Sequence, residues 1–376
     1  MKVLLFANTD WYLYNFRLGL AKFLRDNGLE VVMMSPDGPY GSRLTAEGFR
    51  WIPLDMERRS LNPWRELRLI VQISGILRRE APALVHNFTI KCVGYGSLAA
   101  RWVGVRARIN AVTGLGYVFI AHDFRARLLR PIVGRLLQFA FGGRATRLVV
   151  QNQDDCNAFV DSGLVAADFV RLIKGSGVDT SRFRPKAAKP QAGPVRVLLA
   201  ARLLWDKGVG EYVEAARRLK HDGLDIEFLL AGDIDPGNPA SVPAAELGSW
   251  QEARIVRPLG HVEDMAALLP EVDVMVLPSY REGLPRSLLE AAAGGLPCVT
   301  TDAPGCREIV EDGVNGYLVP VRDARALAEA IRRLHADPQL RRSMGQAGRE
   351  KVLREFDEKI VFEKTLAVYR ELLPAT

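Results

Sequence analysis

Two glutamates, Glu282 and Glu290, stand eight residues apart in the segment 279–297, which carries the strongest chemical signal in the sequence. The apolar run 272–277 before it is typical of a buried strand, and Pro285 suits the start of a helix. Ligands of open parallel α/β sheets lie outside the carboxyl ends of strands, where helix-start N–H groups attract anions. Since ionised carboxylates accept hydrogen bonds from hydroxyl groups, we predict that both glutamates bind one hydroxyl-rich ligand. The pair by itself is also compatible with two solvated surface acids.

A second signal follows the predicted strand 195–201, where Arg202 and Lys207 precede the predicted helix 210–221. Arginine offers a planar fork to phosphate oxygens, and lysine offers a movable point charge. Both residues lie at the carboxyl end of a strand in the same predicted sheet as the two glutamates. We therefore predict that Arg202 and Lys207 hold a diphosphate.

The composition is that of a globular chain large enough for two hydrophobic cores. It has 376 residues, of which 48% are hydrophobic and 25% charged, so we expect two domains and no extensive disorder. The net charge of +7 is uneven, because residues 1–190 hold 28 basic and 15 acidic residues. This excess predicts an anionic partner for the N-terminal half: membrane phospholipid, a diphosphate-bearing acceptor or nucleic acid.

Cysteine spacing and hydropathy indicate a cytosolic chain. The four cysteines form no CxxC pair, so we expect free thiols in a reducing compartment. Residues 1–8 are too short in their apolar part for a signal peptide, and no run approaches the ~18 apolar residues of a membrane span. The D-x-D formed by Asp233 and Asp235 is followed by Pro-Gly-Asn-Pro, which favours an ordinary turn over a metal site.

The order of elements predicts parallel sheets. Strand 2–8, helix 15–27 and strand 30–35 form a β-α-β unit, which requires a right-handed crossover. Alternation continues to about residue 174, a linker is expected at 183–194, and a second alternation follows. We predict an N-terminal Rossmann-like domain at 1–180, a second at 190–354, and a C-terminal helix at 355–376 that packs back on the first domain.

Together these segments resemble a known family. Arg202 with Lys207, the run Glu282-Gly283-Leu284-Pro285 with Glu290, and the segments 294–299, 304–308 and 312–319 resemble the retaining GT-B glycosyltransferases of family 4. Segments 11–17 and 112–119 look most like bacterial enzymes that extend undecaprenyl-diphosphate-linked sugars, such as the bacillosaminyl-lipid N-acetylgalactosaminyltransferases. The resemblance implies an α/β fold with two Rossmann-like domains facing across a cleft.

The resemblance also implies roles for individual residues. Arg202 and Lys207 would stabilise the departing diphosphate, Glu282 would bind the donor sugar, and Glu290 would hold the ribose. The backbone of Gly283, Leu284 and Pro285 would meet sugar and phosphate. The donor would be a nucleotide sugar, with UDP expected, and no metal or other cofactor is required.

The acceptor side is predicted in the N-terminal domain. The candidates are Asn15, Arg17, Lys91, Thr113 and Gly114, where Thr113 stands at a position that many family members fill with histidine. His86 and His122 are left out of the catalytic set, since a lone histidine is more often structural.

The segment 121–147 is rich in arginine and apolar residues, which suits an anionic membrane surface but also a core helix with a solvated basic face. The sequence thus predicts a glycosyltransferase that acts on a lipid-linked saccharide at the inner face of the plasma membrane, without nucleic acid as a partner. Two alternatives stay open: a UDP-sugar epimerase of the same fold, and a non-enzymatic basic scaffold docked on a membrane.

Overall fold

The computed structural model describes residues 1–57, 60, 62–112, 124–185 and 193–373, with the side chains of residues 124–132 outside that description. The chain divides into two compact units, each described here by itself. Unit 1 comprises residues 1–176 and 358–376, and unit 2 comprises residues 177–357. The linker expected at 183–194 therefore lies beyond the start of unit 2.

Unit 1 is built on a parallel sheet with strand order β3-β2-β1-β4-β5-β6-β7. Its elements up to residue 172 are β1 (Lys2–Phe6), α1 (Asp10–Asp26), β2 (Glu30–Pro36), α2 (Gly41–Ala46), β3 (Arg50–Leu54), α3 (Pro63–Glu80), β4 (Leu84–Phe88), α4 (Ile90–Val103), β5 (Ala107–Ala111), α5 (Phe124–Phe141), β6 (Thr146–Val150), α6 (Gln153–Asp161) and β7 (Val170–Leu172).

Strand β1 shows why unit 1 folds in layers. Val3 and Leu5 point into one buried cluster, and Leu4 and Phe6 into another on the opposite face. A parallel strand covered by helices on both faces reads as a continuous apolar run, which is how this strand appears in the sequence. The chain crosses over between β1 and β4, so these neighbouring strands form the switch point of the sheet.

Unit 2 repeats the arrangement with strand order β10-β9-β8-β11-β12-β13, and its switch point lies between β8 and β11. Its elements are β8 (Val195–Ala200), α7 (Val209–His221), β9 (Ile226–Ala231), α8 (Ala244–Glu252), β10 (Arg257–Gly260), α9 (Met265–Leu268), β11 (Val274–Leu277), α10 (Arg286–Ala293), β12 (Cys298–Thr301), α11 (Cys306–Ile309), β13 (Gly316–Val319), α12 (Ala324–Ala336) and α13 (Pro338–Glu355). The prediction of two Rossmann-like sheets is confirmed.

The C-terminal helix, predicted at 355–376, begins three residues later in the structure, at Glu358. Helix α13 ends at Glu355, and α14 (Glu358–Leu372) follows. The break falls at Phe356, whose carbonyl accepts a hydrogen bond from Val178 N (3.0 Å) and whose ring is buried in unit 2. Helix α14 instead packs against α1 in unit 1 and buries Phe362 and Tyr369 there.

Helix α1 begins five residues earlier than the predicted residue 15. Thr9 has extended backbone and its Oγ1 accepts a hydrogen bond from Tyr12 N (3.1 Å), with Asp10 in the first turn. A threonine cap followed by an acid satisfies the helix start and its dipole, which is why the helix includes residues 10–14. No helix in the described part of the chain is both long and apolar enough to cross a bilayer.

Candidate active site

The predicted ligand residues of unit 2 lie on loops that leave the two strands of its switch point. Strands β8 and β11 run parallel with Val197 opposite Val274, so the loops 201–208 and 278–285 open at the same edge of the sheet. This is the edge at which open α/β sheets bind ligands.

The two loops are docked on each other through Asp206. Its carbonyl oxygen accepts hydrogen bonds from Tyr280 N (2.9 Å) and from Ser279 Oγ (3.1 Å). Gly208 has a φ of +74°, and a Cβ built on it would lie 2.1 Å from the carbonyl oxygen of Pro278. Only glycine therefore allows this approach, which sets the positions of Lys207 and Glu282.

Lys207 and Glu282 form an ion pair across the docked loops, with Nζ 2.5 Å from Oε1, and both side chains are mostly buried. A third loop supports the pair, because Glu282 N donates to the carbonyl oxygen of Pro304 (3.1 Å). Gly305 beside it has a φ of +79° and packs against the carbonyls of Glu282 and Gly283. A desolvated pair of this kind is costly to break on one side only. A ligand can therefore displace Lys207 or Glu282 from the pair at low cost only if it supplies a group with the same charge as the residue that it displaces.

Arg202 is held differently. Its Nη1 lies 2.8 Å from Asp235 Oδ2, and 52% of the arginine side chain is exposed. Asp235 Oδ2 also accepts a hydrogen bond from Asn238 Nδ2 (3.1 Å), which fixes the carboxylate in its turn. Because an exposed ion pair contributes little, the guanidinium can turn to another anion at small cost. The D-x-D acid Asp235 is thus a partner of an arginine, and the described residues hold no cluster of three or more His, Cys, Asp or Glu placed for a metal ion.

Glu290 lies on α10 and is buried. Its Oε1 accepts a hydrogen bond from Arg286 Nε (2.7 Å), one turn earlier on the same helix. Burial raises the pKa of the Glu290 carboxyl, and the nearby charges of Arg286 and Arg182 oppose that rise. Glu282 and Glu290 therefore each have a cation of their own, and the prediction that they share a ligand is not tested by these contacts.

The segment between the two glutamates forms the turn into α10. Gly283 and Pro285 are buried and Leu284 is half-buried. Pro285 is the residue before the helix and makes no side-chain hydrogen bond to the helix start. Since proline has no N–H, this segment can offer a ligand the amides of Gly283 and Leu284 but none from Pro285. The expected contribution of Pro285 is corrected to one of shape.

A contact that sequence reasoning missed holds the same loop from its other side. Tyr280 donates its hydroxyl hydrogen bond to Glu211 Oε1 on α7 (2.7 Å), and the guanidinium of Arg322 lies 4.7 Å from the tyrosine ring. Burial and Glu211 raise the pKa of Tyr280 to about 12, so the hydroxyl stays protonated and donates. No local pattern links these three positions, so no sequence signal identifies the contact.

In unit 1, Arg17 lies beside the switch point of the sheet. It is 6% exposed, its guanidinium lies 4.2 Å from the ring of Phe88 at the end of β4, and Nη2 donates to Tyr12 Oη (2.6 Å). Arg17 Nε is buried without a hydrogen-bond partner, and among the described residues no carboxylate pairs with this arginine. A buried cation without an anion is unfavourable unless a ligand supplies one.

Polar atoms on β4 and directly after it are also unsatisfied. His86 Nε2, Asn87 Oδ1 and Thr89 Oγ1 are buried without hydrogen-bond partners, and Thr89 has a φ of +73°. Burial, and then the charge of Arg17, lower the pKa of His86 well below its usual range, so this ring is neutral. Unsatisfied polar atoms and a strained residue at a strand end are features that functional sites retain.

Of the remaining acceptor-side candidates, the structure describes Asn15 and Lys91. Asn15 Nδ2 donates to Trp11 O (3.0 Å) on α1. Lys91 donates to Glu66 Oε1 (3.0 Å) and to Glu57 O (2.7 Å), which ties the start of α4 to the start of α3. Thr113 and Gly114 lie outside the described residues. The acceptor roles of all four stay predictions.

The loop docking at Gly208 leads to a testable expectation. Gly208→Ala should lower the free energy of unfolding by about 2–4 kcal/mol, because it adds backbone strain and a collision with Pro278. Gly313→Ala is the matched control: Gly313 has the same φ of +74° but open space around its Cβ position. The control should lose only about 1 kcal/mol. Urea denaturation measures both, and equal losses would contradict the close approach.

Comparison with known proteins relates this chain to glycosyltransferases. A family model described as glycosyl transferases group 1 matches residues 194–337, and one described as glycosyl transferase 4-like matches residues 2–152. The chain is 29% identical to the N,N'-diacetylbacillosaminyl-diphospho-undecaprenol alpha-1,3-N-acetylgalactosaminyltransferase of Campylobacter jejuni, over 99% of both chains. It is 28% identical to the putative glycosyltransferase EpsD of Bacillus subtilis, over 98% of this chain and 96% of that protein.

Solved structures share the architecture. Sucrose-phosphate synthase from Thermosynechococcus elongatus superposes with a TM-score of 0.82 at 21% identity, covering 99% of both chains. Anabaena Alr3699/HepE in complex with UDP-glucose gives a TM-score of 0.80 at 20% identity, covering 99% of this chain and 100% of the other. With one glycosyltransferase model matched in each half of the chain, the resemblance seen in the sequence is confirmed, and the protein belongs to the GT-B glycosyltransferases of family 4.

Proposed function

We propose that the protein transfers a hexose or N-acetylhexosamine from a UDP-sugar to a polyprenyl-diphosphate-linked saccharide. The transfer would retain the anomeric configuration, need no metal ion, and serve bacterial surface glycan synthesis at the inner face of the plasma membrane. The observation that carries the proposal is the Lys207–Glu282 pair at the switch point of unit 2. The Campylobacter relative is named for a diphospho-undecaprenol substrate, and the HepE structure is titled as a complex with UDP-glucose.

The cations would act on the leaving group. When the bond between the anomeric carbon and the phosphate oxygen breaks, negative charge develops on the departing UDP. Lys207 and Arg202 would stabilise that charge, since preorganised cations in a partly desolvated site favour the transition state over the ground state. A diphosphate would replace Glu282 as the partner of Lys207 and Asp235 as the partner of Arg202.

The glutamates would bind the rest of the donor. Once Lys207 turns to the diphosphate, the carboxylate of Glu282 is left to accept hydrogen bonds from sugar hydroxyls, which compensates its desolvation. Glu290 would hold the ribose hydroxyls. Backbone amides of Gly283 and Leu284 would meet the sugar and phosphate.

Retention requires the new bond to form on the face from which UDP leaves. In the proposed course, the acceptor hydroxyl attacks the anomeric carbon on that face and its proton passes to the departing phosphate oxygen. The leaving group then serves as the base, so no protein base is needed.

The central test is transfer from UDP-sugars to a lipid-diphosphate saccharide in EDTA. We expect transfer to continue in the chelator, and Lys207→Met to lower kcat by roughly 10²–10³-fold because it removes a charge that stabilises the leaving group. Lys364→Met, at an exposed position of α14, is the matched control and should keep full activity.

Three outcomes would count against this proposal. Normal turnover by Lys207→Met would show that the lysine does not act in the site. Loss of transfer in EDTA would show that the reaction needs a metal ion. Release of an isomerised free sugar, without a lipid-linked product, would favour the epimerase alternative.

For the acceptor, we propose that Arg17 binds the diphosphate that links lipid to saccharide. Its burial without a carboxylate partner and its position at the switch point of unit 1 support this role. An anion here would satisfy both the charge and the unpartnered Nε.

Arg17→Gln should raise KM for the acceptor by roughly 10–100-fold and leave KM for the donor unchanged, because a charge-assisted contact is worth about 1.5–3 kcal/mol. Its free energy of unfolding should stay equal or rise, since an uncompensated buried charge is removed. Arg25→Gln, at a more exposed position on the same helix, is the control for both measurements. A stability loss with unchanged acceptor KM would show that Arg17 is structural.

The raised pKa of Glu290 gives a pH dependence with a definite sign. A carboxylate accepts two ribose hydroxyls better than a carboxylic acid does, and a raised pKa means that protonation starts at a higher pH than for an ordinary glutamate. UDP-sugar affinity should therefore fall as the pH is lowered from about 7 to about 5. Isothermal titration calorimetry at several pH values measures this affinity. A UDP-sugar is a suitable ligand because it has no phosphate monoester, a group that itself titrates near pH ~6.

Glu290→Gln should bind more weakly at neutral pH and show a flat pH profile. The same pH profile in wild type and variant would remove Glu290 from the ribose site.

A further inference from the structure

Three neighbouring helices of unit 1 expose large apolar side chains. Trp64 is 78% exposed, and Leu67 and Val71 follow it three and seven residues later on α3, so the three form one line. Trp102 near the end of α4 and Phe139 near the end of α5 are also exposed. These five side chains are called the aromatic face below.

The aromatic face is continuous with a shallow groove between the helices. Helix α4 packs against both α3 and α5, and a groove of about 410 Å³ is lined by Ile70, Leu98, Arg101, Trp102 and Phe139. The guanidinium of Arg101 lies 3.9 Å from the ring of Phe139. The charged group of Arg101 thus lies against an exposed ring, and its Nη1 donates to the carbonyl oxygen of Phe139 (3.0 Å).

The three helices carry a strong positive charge. Helices α3, α4 and α5 hold ten basic and two acidic residues, a net charge of +8 where the whole chain has +7. Both acids are engaged: Glu66 lies 3.0 Å from Lys91, and Glu80 lies 2.8 Å from Arg50. The two acids of the three helices are thus paired, and the sequence of these helices keeps a net excess of basic residues.

Single exposed apolar residues are normal on a protein surface. A line of them on a basic helix is typical of a helix that lies in a membrane interface. A second copy of the chain is disfavoured as the occupant, because it would bring +8 against +8. We propose that the aromatic face docks on an anionic lipid bilayer, with Trp64 and Trp102 at the level of the headgroups. This inference rests on the proposed function and names the surface through which the enzyme reaches its lipid-linked acceptor.

The direction of the helices fits this role. Helices α3 and α4 follow β3 and β4, so both begin at the carboxyl edge of the sheet, where Arg17 and the switch point of unit 1 lie. Trp64 is the second residue of α3 and belongs to that edge. Trp102 and Phe139, near the ends of α4 and α5, lie toward the opposite edge of the sheet. A bilayer on the aromatic face would therefore extend along the helices from that edge to the edge at which Arg17 lies.

Vesicle flotation tests the docking directly. The full chain should float with phosphatidylcholine vesicles that contain phosphatidylglycerol, and not with phosphatidylcholine alone. A triple variant Trp64→Ser, Leu67→Ser, Val71→Ser should lose affinity by tenfold or more, on the order expected for removing buried apolar area. The control triple variant Val314→Ser, Val321→Ser, Leu353→Ser removes exposed apolar residues from unit 2 and should bind as wild type.

A second set of variants, which lack surface charges, distinguishes electrostatic attraction to anionic lipid from nonspecific hydrophobic adsorption. Arg68→Gln with Arg78→Gln should weaken binding by roughly 30-fold at low salt, since each basic residue near an anionic bilayer contributes about 1 kcal/mol. The exposed pair Arg325→Gln with Arg342→Gln in unit 2 is the control. Salt should reduce wild-type binding, because the surface charges are screened.

A rate ratio distinguishes failure of the docking surface from failure of the proposed function. Transfer to acceptor embedded in vesicles is divided by transfer to a short-chain, water-soluble acceptor, and the ratio should fall for the aromatic-face variant and stay constant for its control. Flotation remains informative even if no transfer is found. Equal flotation by the aromatic-face variant and wild type would overturn the proposal. So would a wild-type dimer in sedimentation that the variant abolishes without any vesicle binding, or tighter binding to oligonucleotides than to vesicles.

Discussion

The ion pair between Lys207 and Glu282 joins loops that leave two different strands, with 75 residues between the partners. It forms because the carbonyl of Asp206 accepts hydrogen bonds from the other loop and because Gly208 allows the backbones to meet. The pair neutralises two groups that are mostly out of water, so a ligand must offer both an anion and hydroxyl donors to replace it without penalty. A nucleotide sugar has both, at adjacent positions, and this is why the proposed chemistry follows from the pair.

Unit 1 shows the opposite electrostatic situation. Arg17 is buried with no anionic partner among the described residues, whereas Lys207 is mostly buried and paired with Glu282. Arg17 is therefore suited to binding an anionic group of an acceptor. Lys207 is suited to exchanging Glu282 for an anionic group of a donor. The +8 charge of α3, α4 and α5 extends the same preference to the surface, where the proposed partner is an anionic bilayer.

The fold was predictable because both sheets are buried on two faces. Strand β11 is wholly apolar and β8 has a single polar residue, Arg196 near its start, so both are recognisable as strands. Their order in the chain predicts parallel pairing. Helix boundaries that are set by single contacts were harder to predict from the sequence. The Thr9 cap of α1 is a local signal that could have been found, but the break at Phe356 depends on Val178, which lies far away in the sequence.

The candidate site was predictable in its residues and less so in their partners. Arg202 and Lys207 were identified by type and spacing, but their pairing with Asp235 and Glu282 depends on loop docking that no short pattern encodes. Lys91 was predicted on the acceptor side from its position at a strand end, and the contacts of its side chain with Glu66 and a loop carbonyl were not foreseen. The family resemblance supplied roles that residue types alone left open.

The most direct measurement of the central claim is an experimental structure of the protein with a bound UDP-sugar. We expect Lys207 Nζ to leave Glu282 and to lie within hydrogen-bond distance of a diphosphate oxygen. We also expect Glu282 to accept a hydrogen bond from a sugar hydroxyl, and the diphosphate to lie at the ends of β8 and β11. A diphosphate bound at another strand end, or bound there with the Lys207–Glu282 pair intact, would contradict it.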